Sequence, residues 1–195
     1  IDKRDYFENI INAIIDTDQA PGFIEAVCGL IKRMAVDHLH IVGDIFDRGP
    51  RADIIMDSLL NYHSVDVQWG NHDILWMGAA SGSRTLVATV LANSIHYNNL
   101  EVIETGYGIS LRPLSIFANE VYKDCDTHRF AVKLTGPDAD QYTEKDKLLS
   151  ARMHKAITVI LFKLEGQKII RHPEFGMEDR LLLDQIDYER KSITT

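Results

Sequence analysis

The stretch His38-Leu39-His40-Ile41-Val42-Gly43-Asp44-Ile45-Phe46-Asp47-Arg48-Gly49-Pro50 decides how this chain is read. Its first six residues are short and β-branched, with a charge on one side and a glycine on the other, as in a buried strand. Where the chain leaves that strand it carries two aspartates and an arginine between glycines. The arrangement recurs at Val65-Asp66-Val67-Gln68-Trp69-Gly70, an alternating run that opens directly onto Asn71-His72-Asp73. Between the two, Pro50 starts a helix with Ile54, Ile55, Leu59 and Leu60 on it. Strand, helix, strand and helix in that order predict an α/β fold with parallel neighbouring strands. The carboxyl ends of such strands are where ligands bind, and a glycine there lets the backbone turn sharply and come close to a ligand.

Working outward, Tyr6 to Ile15 places Phe7, Ile10, Ile11, Ile14 and Ile15 at a helical period. Pro21 suits the first turn of a second helix bearing Phe23, Ile24, Val27, Leu30, Ile31 and Met34. Further helices are expected from about Leu75 and over Thr85–Tyr97, and a third strand over Leu100-Glu101-Val102-Ile103. After Gly108 the texture turns helical, over 110–124, 144–165 and 177–187. Thr143 with Asp146 makes a capping-box start for the second of these, and Gly166 makes its stop. The chain is therefore expected to divide into an α/β segment, 1–105, and a mostly helical one, 106–195.

The 195 residues suit one domain or a little more. Apolar residues at 45% and charged residues at 26% exclude a disordered tail, a collagen-like rod and a low-complexity linker. A net charge of −8 argues against a nucleic-acid binder. It leaves small anionic substrates open, because a bound metal reverses the local field. The longest apolar run, Ala156 to Phe162, is far short of the roughly 20 residues of a membrane span. Two cysteines cannot build a disulfide framework. Cys28, in the apolar stripe of the second helix, is expected to be a small core residue, and a reducing, cytoplasmic setting follows. The start at Ile1, without an initiator Met, reads as an internal or trimmed piece of a longer chain.

Asp44 offers two carboxylate oxygens that can each face a cation, and Asn71 offers a neutral carbonyl oxygen. His72 can ligate, donate or transfer a proton, and Arg48 carries the planar fork that matches phosphate. Oxygen and nitrogen donors without thiolates suit Mn²⁺, Mg²⁺, Fe or Zn. A carboxylate bridging two divalent ions about 3.5–4 Å apart is the plan of two-metal phosphate hydrolysis. Alone, a strand-exit Gly-Asp reads as a turn with a helix N-cap, and Asn-His-Asp as a polar turn. Together they read differently, because Gly-Asp-x-x-Asp-Arg-Gly arises by chance on the order of once per million start positions.

Gly43-Asp44-x-x-Asp47-Arg48-Gly49 followed by Gly70-Asn71-His72-Asp73 resembles the calcineurin-like metallophosphoesterases, dinuclear phosphatases built on a β-sandwich flanked by helices. More narrowly, Ile41 to Ser83, and Glu165 through Arg171-His172-Pro173 and Met177 to Ile193, resemble the class III fructose-1,6-bisphosphatases of Gram-positive bacteria. The resemblance implies part of that β-sandwich with a helical insertion, and hydrolysis of fructose 1,6-bisphosphate to fructose 6-phosphate and phosphate. It also implies two divalent metal ions, with Mn²⁺ the family expectation. It makes Asp44 the bridging ligand and Asn71 a ligand of one metal. His72 becomes the general acid, Asp47 the residue that orients it, and Arg48 the holder of the phosphoryl oxygens. Asp73 becomes support behind them. The partner implied is a small sugar phosphate, with no nucleic acid and no membrane, and an oligomer is left open.

The family pattern also requires an Asp-x-His on an earlier strand and later histidines. No Asp-x-His precedes Asp44, and Asp126-Thr127-His128 lies in the wrong order and on no apolar strand. His38 and His40 share a strand face but precede the motif, so they read as structural. His96, His154 and His172 follow no apolar strand and read as structural or exposed. The remaining ligands are expected outside this segment, and the 195 residues alone are expected to be inactive or nearly so. Protein Ser/Thr phosphatases usually have Arg before Gly-Asn-His and Glu after it, where this chain has Trp69 and Asp73. Dinucleoside polyphosphate hydrolases share Asp47-Arg48-Gly49-Pro50 but not the helical second half. From another class, Ile157, Ile160, Leu161 and Leu164 could make the chain a non-catalytic helical interaction module, although ordinary core packing accounts for that stripe.

Overall fold

The computed structural model describes residues 3–134 and 141–193. The chain divides into two compact units. One comprises the described residues up to Ile41 together with Leu59–Gln68, and the other Val42–Ser58 with the described residues from Trp69 onward.

In the first unit, α1 (Lys3–Asp16) and α2 (Ala20–Ala35) form where the helical periods place them, with Pro21 in the first turn of α2. β1 (Leu39–Ile41) pairs in parallel with β2 (Val65–Val67), with Leu39 opposite Val65, His40 opposite Asp66 and Ile41 opposite Val67. Neither helix buries a residue, and the stripes Phe7-Ile10-Ile11 and Phe23-Ile24-Leu30-Ile31 face outward. Cys28 is accordingly exposed, not a core residue. Both strand histidines turn to Asp66. His40 Nδ1 lies 2.9 Å from its carboxylate, His38 Nε2 lies 2.7 Å from it, and His38 Nδ1 meets Ser64.

α3 (Ala52–Leu60) begins two residues after Pro50. In the second unit, α4 (Asn71–Ala80) packs on α5 (Arg84–His96), and α5 and α6 (Arg112–Val121) both pack on α7 (Glu144–Arg171). The core is made of Ala88, Ala92 and Ile95 from α5, Ala118 from α6, and Met153, Ala156 and Ile157 from α7, closed by Ile103 and Leu111. Small residues on α5 and α7 let those helices approach closely. Thr143 and Asp146 form the expected capping box, with reciprocal backbone bonds of 3.3 and 2.9 Å.

Three further expectations change. Leu100–Ile103 is not a strand. The backbone coils through a π-helical turn, Val102–Gly106, which buries Val102 and Ile103 side by side, where a strand would send them to opposite faces. Gly166 does not stop α7. The helix continues to Arg171, burying Ile169, and ends before Pro173, and a Cβ on Gly166 would make only an ordinary 3.6 Å contact with Leu181. Residues 177–187 form two 3₁₀ turns, Glu178–Arg180 and Leu182–Gln185, because Leu181 takes a non-helical ψ of 52°. They lead into a short antiparallel pair, β3 (Ile186–Asp187) with β4 (Ser192–Ile193). The strands of the described residues form two separate pairs, and the fold is mixed α/β and mostly helical.

Candidate active site

The loop 43–49 and the start of α4 come together through one carboxylate. Asp73, in the first turn of α4, is only 6% exposed. Its Oδ2 accepts the backbone N–H of Asp44 at 2.6 Å and of Gly70 at 2.9 Å, and its Oδ1 accepts the N–H of Phe46 at 3.2 Å. The Gly70 bond is half of a capping box; glycine has no side chain to return it. Asn71-His72-Asp73 is thus the opening turn of a helix and not a polar turn ahead of one.

The Asp44 carboxylate completes the join. Its Oδ1 accepts the His72 N–H at 3.1 Å, satisfying one of the free donors at the start of α4, where the helix dipole also favours an anion. A Cβ on Gly70 would overlap that carboxylate and would lie 2.7 Å from Asp44 N, so only glycine fits there. Asp44 therefore sits against the backbone on both sides of Asn71. The backbone is strained: Gly43, Asp44 and Arg48 take φ of 94°, 55° and 60°. Positive φ at non-glycine residues persists only where the surroundings over-determine it, and such strain clusters at functional sites.

The other three residues form a chain. His72 Nε2 lies 3.1 Å from Asp47 Oδ1, and Arg48 Nε lies 3.1 Å from the same oxygen. Asp47 therefore orients an imidazole and a guanidinium at once. The loop is held further by Phe46 stacked on Trp76 at 4.6 Å, and by Asn99 Nδ2 donating to Gly49 O at 3.0 Å. The Arg48 guanidinium lies over the Tyr97 ring, 4.4 Å from its centroid. Arg48, His72 and Tyr97 border a small open cleft, with Leu75, Trp76 and Val90 as its apolar wall. Tyr97 and Asn99 are functional neighbours the sequence does not announce. They stand just beyond α5, and no local pattern ties them to Arg48 or Gly49.

Behind Tyr97, burial pushes the His96 imidazole below its ordinary value, with His154, Lys133 and Arg48 adding charge repulsion. The two imidazoles stand 5.0 Å apart. Beside the loop, Arg51 donates to both oxygens of Asp53 at 3.2 and 2.9 Å and holds that carboxyl below its usual range.

As to a metal, Asp44 Oδ1 is engaged with the His72 N–H, while Oδ2 has no hydrogen-bond partner among the described residues. A carboxylate oxygen, with the amide oxygen of a residue such as Asn71, is the donor chemistry of a hard divalent cation. The donors fit in kind. They do not close a site, because no group of three or more His, Cys, Asp or Glu able to hold a metal ion occurs among the described residues. His128 turns back onto Asp126, and His172 onto Glu174.

The two loops bring together the Asp44 carboxylate, the His72–Asp47 pair and Arg48. All 195 residues match the family model described as Firmicute fructose-1,6-bisphosphatase, and the chain belongs to that family. It is similar to the class 3 fructose-1,6-bisphosphatase of Clostridium beijerinckii, at 57% identity over 99% of this chain, and to that of Clostridium acetobutylicum, at 54% over 99%. The enzyme of that name from Listeria innocua is 54% identical over 98% of this chain. In each case the match covers 29% of the relative's own length. No solved structure gives a significant match. Among the described residues no helix is long and apolar enough to cross a membrane.

Proposed function

We propose that the full-length protein is a metal-dependent phosphomonoesterase. It cleaves fructose 1,6-bisphosphate to fructose 6-phosphate and phosphate, a step of gluconeogenesis. The observation that carries this reading is the convergence on Asp44: its carboxylate lies against Gly70 and accepts the His72 N–H, while Asp47 links His72 to Arg48. The family membership and the names of the relatives supply the substrate.

In this reading Asp44 would bridge two divalent cations, taken as Mn²⁺, and Asn71 would ligate one of them. When bound, the cation pair supplies an activated water nucleophile and neutralises charge on the phosphoryl oxygens. Arg48 binds the equatorial phosphoryl oxygens through its fork and stabilises the charge that builds there. Asp47 accepts a hydrogen bond from His72 Nε2 and orients the imidazole, which leaves Nδ1 to give a proton to the departing sugar oxygen. Asp73 holds both loops in register.

The part of the chain up to residue 105 carries the metal-site loops, and 106–195 forms a helical insertion. Strands from the rest of the longer protein complete the β-sandwich and bring the missing ligands, so these residues alone are inactive. The setting is cytoplasmic, with a small sugar phosphate as partner and neither nucleic acid nor membrane; an oligomer stays open.

The test is to assay the full-length protein with Mn²⁺ against fructose 1,6-bisphosphate, a phosphopeptide and a dinucleoside tetraphosphate. Preferred turnover of the sugar bisphosphate is expected. Faster turnover of either alternative would assign the site to a different phosphatase class.

A further inference from the structure

Two cations meet on one aromatic ring at the rim of the cleft. The Tyr97 centroid lies 4.4 Å from the Arg48 guanidinium carbon and 5.0 Å from Lys133 Nζ. The Lys133 backbone is fixed beside the end of α5, where its N–H donates to His96 O at 2.7 Å. Their charges are balanced differently. Arg48 shares Asp47 with His72, whereas no carboxylate pairs with Lys133 among the described residues.

In a chain of net charge −8, this corner is locally positive. The field of Lys133 and Arg48 reaches His96 and disfavours its protonation. An ammonium with no carboxylate partner among the described residues, held against the same ring as the Arg48 guanidinium, is placed to take a second anion on the same ligand. Tyr97 lines the cleft together with Arg48 and His72, and Lys133 lies against the same ring.

We propose that Lys133 and Tyr97 form a second anion subsite that takes the non-reacting phosphate of a sugar bisphosphate. Lys133 is thereby the residue that separates bisphosphate from monophosphate esters. This rests on the phosphatase reading given above.

The experiment is steady-state kinetics on the full-length protein and its Lys133→Gln and Lys133→Arg variants, with fructose 1,6-bisphosphate and p-nitrophenyl phosphate as paired substrates. Lys133 is exposed, so folding is not at stake. For Lys133→Gln, KM for the bisphosphate is expected to rise about tenfold, the loss of one charge-assisted contact. Its kcat stays within about twofold, and both constants for p-nitrophenyl phosphate stay unchanged. Lys133→Arg restores most of the KM. Tyr97→Leu, which releases both cations, raises KM for both substrates. Equal effects of Lys133→Gln on the two substrates, or none on the bisphosphate, would overturn the subsite. A wild-type protein that hydrolyses p-nitrophenyl phosphate but not the bisphosphate would instead overturn the substrate reading, and the subsite with it.

Discussion

Replacing Asp73 by Asn removes one oxygen and one charge from the carboxylate that joins the two loops. With the remaining oxygen at the Oδ2 position, the bonds from Asp44 N and Gly70 N survive as neutral ones. Each then loses about 1 kcal/mol, the difference between charged and neutral acceptors. The new amide group faces the Phe46 N–H, donor against donor, where a 3.2 Å bond stood. A buried donor left without a partner costs about 1–2 kcal/mol more. The join therefore weakens by about 3–4 kcal/mol, more than two orders of magnitude in its opening equilibrium. Hydrogen exchange on the full-length protein, followed in peptides spanning 43–49 and 69–74, should show protection falling by about that factor at Asp44, Phe46 and Gly70. Turnover should fall with it, because Asp44 loses the anchor of its backbone. Unchanged protection at those three amides would mean that Asp73 does not hold the site together.

Three further outcomes are expected. Gly70→Ala drives a methyl into the Asp44 carboxylate; it should abolish turnover of the full-length protein while costing about 1–3 kcal/mol in a urea titration, in the range of overpacking. His72→Ala should lower kcat by roughly 10²–10⁴-fold, the span of general acid catalysis, with metal content by elemental analysis largely kept. His96 has a folded pKa below its ordinary 6.5. Between those two values the unfolded chain binds more protons, so its contribution to stability is lost as pH falls below 6.5 and is flat above it. Urea titrations of the wild type and His96→Gln at several pH values should therefore show a shallower acid-side loss in the variant.

Much of the architecture could be read from local pattern. The apolar periods of α1, α2 and α5 and the reciprocal Thr143–Asp146 pair depend on residues a few positions apart, and they formed where expected. So did the parallel pairing of β1 with β2, marked by two short β-branched runs around a helix. Where local pattern failed, packing decided. Leu100–Ile103 has the composition of a strand, but a π turn buries both Val102 and Ile103 and sets Ile103 into the helical core of the second unit. Gly166 has the appearance of a stop, yet the helix runs on through it to bury Ile169. At the candidate site, the glycine-flanked loops marked Asp44, Asp47, Arg48, Asn71 and His72 as candidates. The way Asp73 bonds three separate N–H groups, and the ring of Tyr97 under Arg48, depend on residues distant in sequence and carry no local mark.

The central claim is that Asp44, held at the start of α4, is the carboxylate around which the cations assemble. Its most direct test is metal content together with fructose 1,6-bisphosphate turnover for the full-length protein and its Asp44→Asn variant, prepared side by side in Mn²⁺. The account expects two ions per site and turnover in the wild type, with both lost in the variant. An Asp44→Asn protein that keeps its metal and near-normal turnover would contradict it.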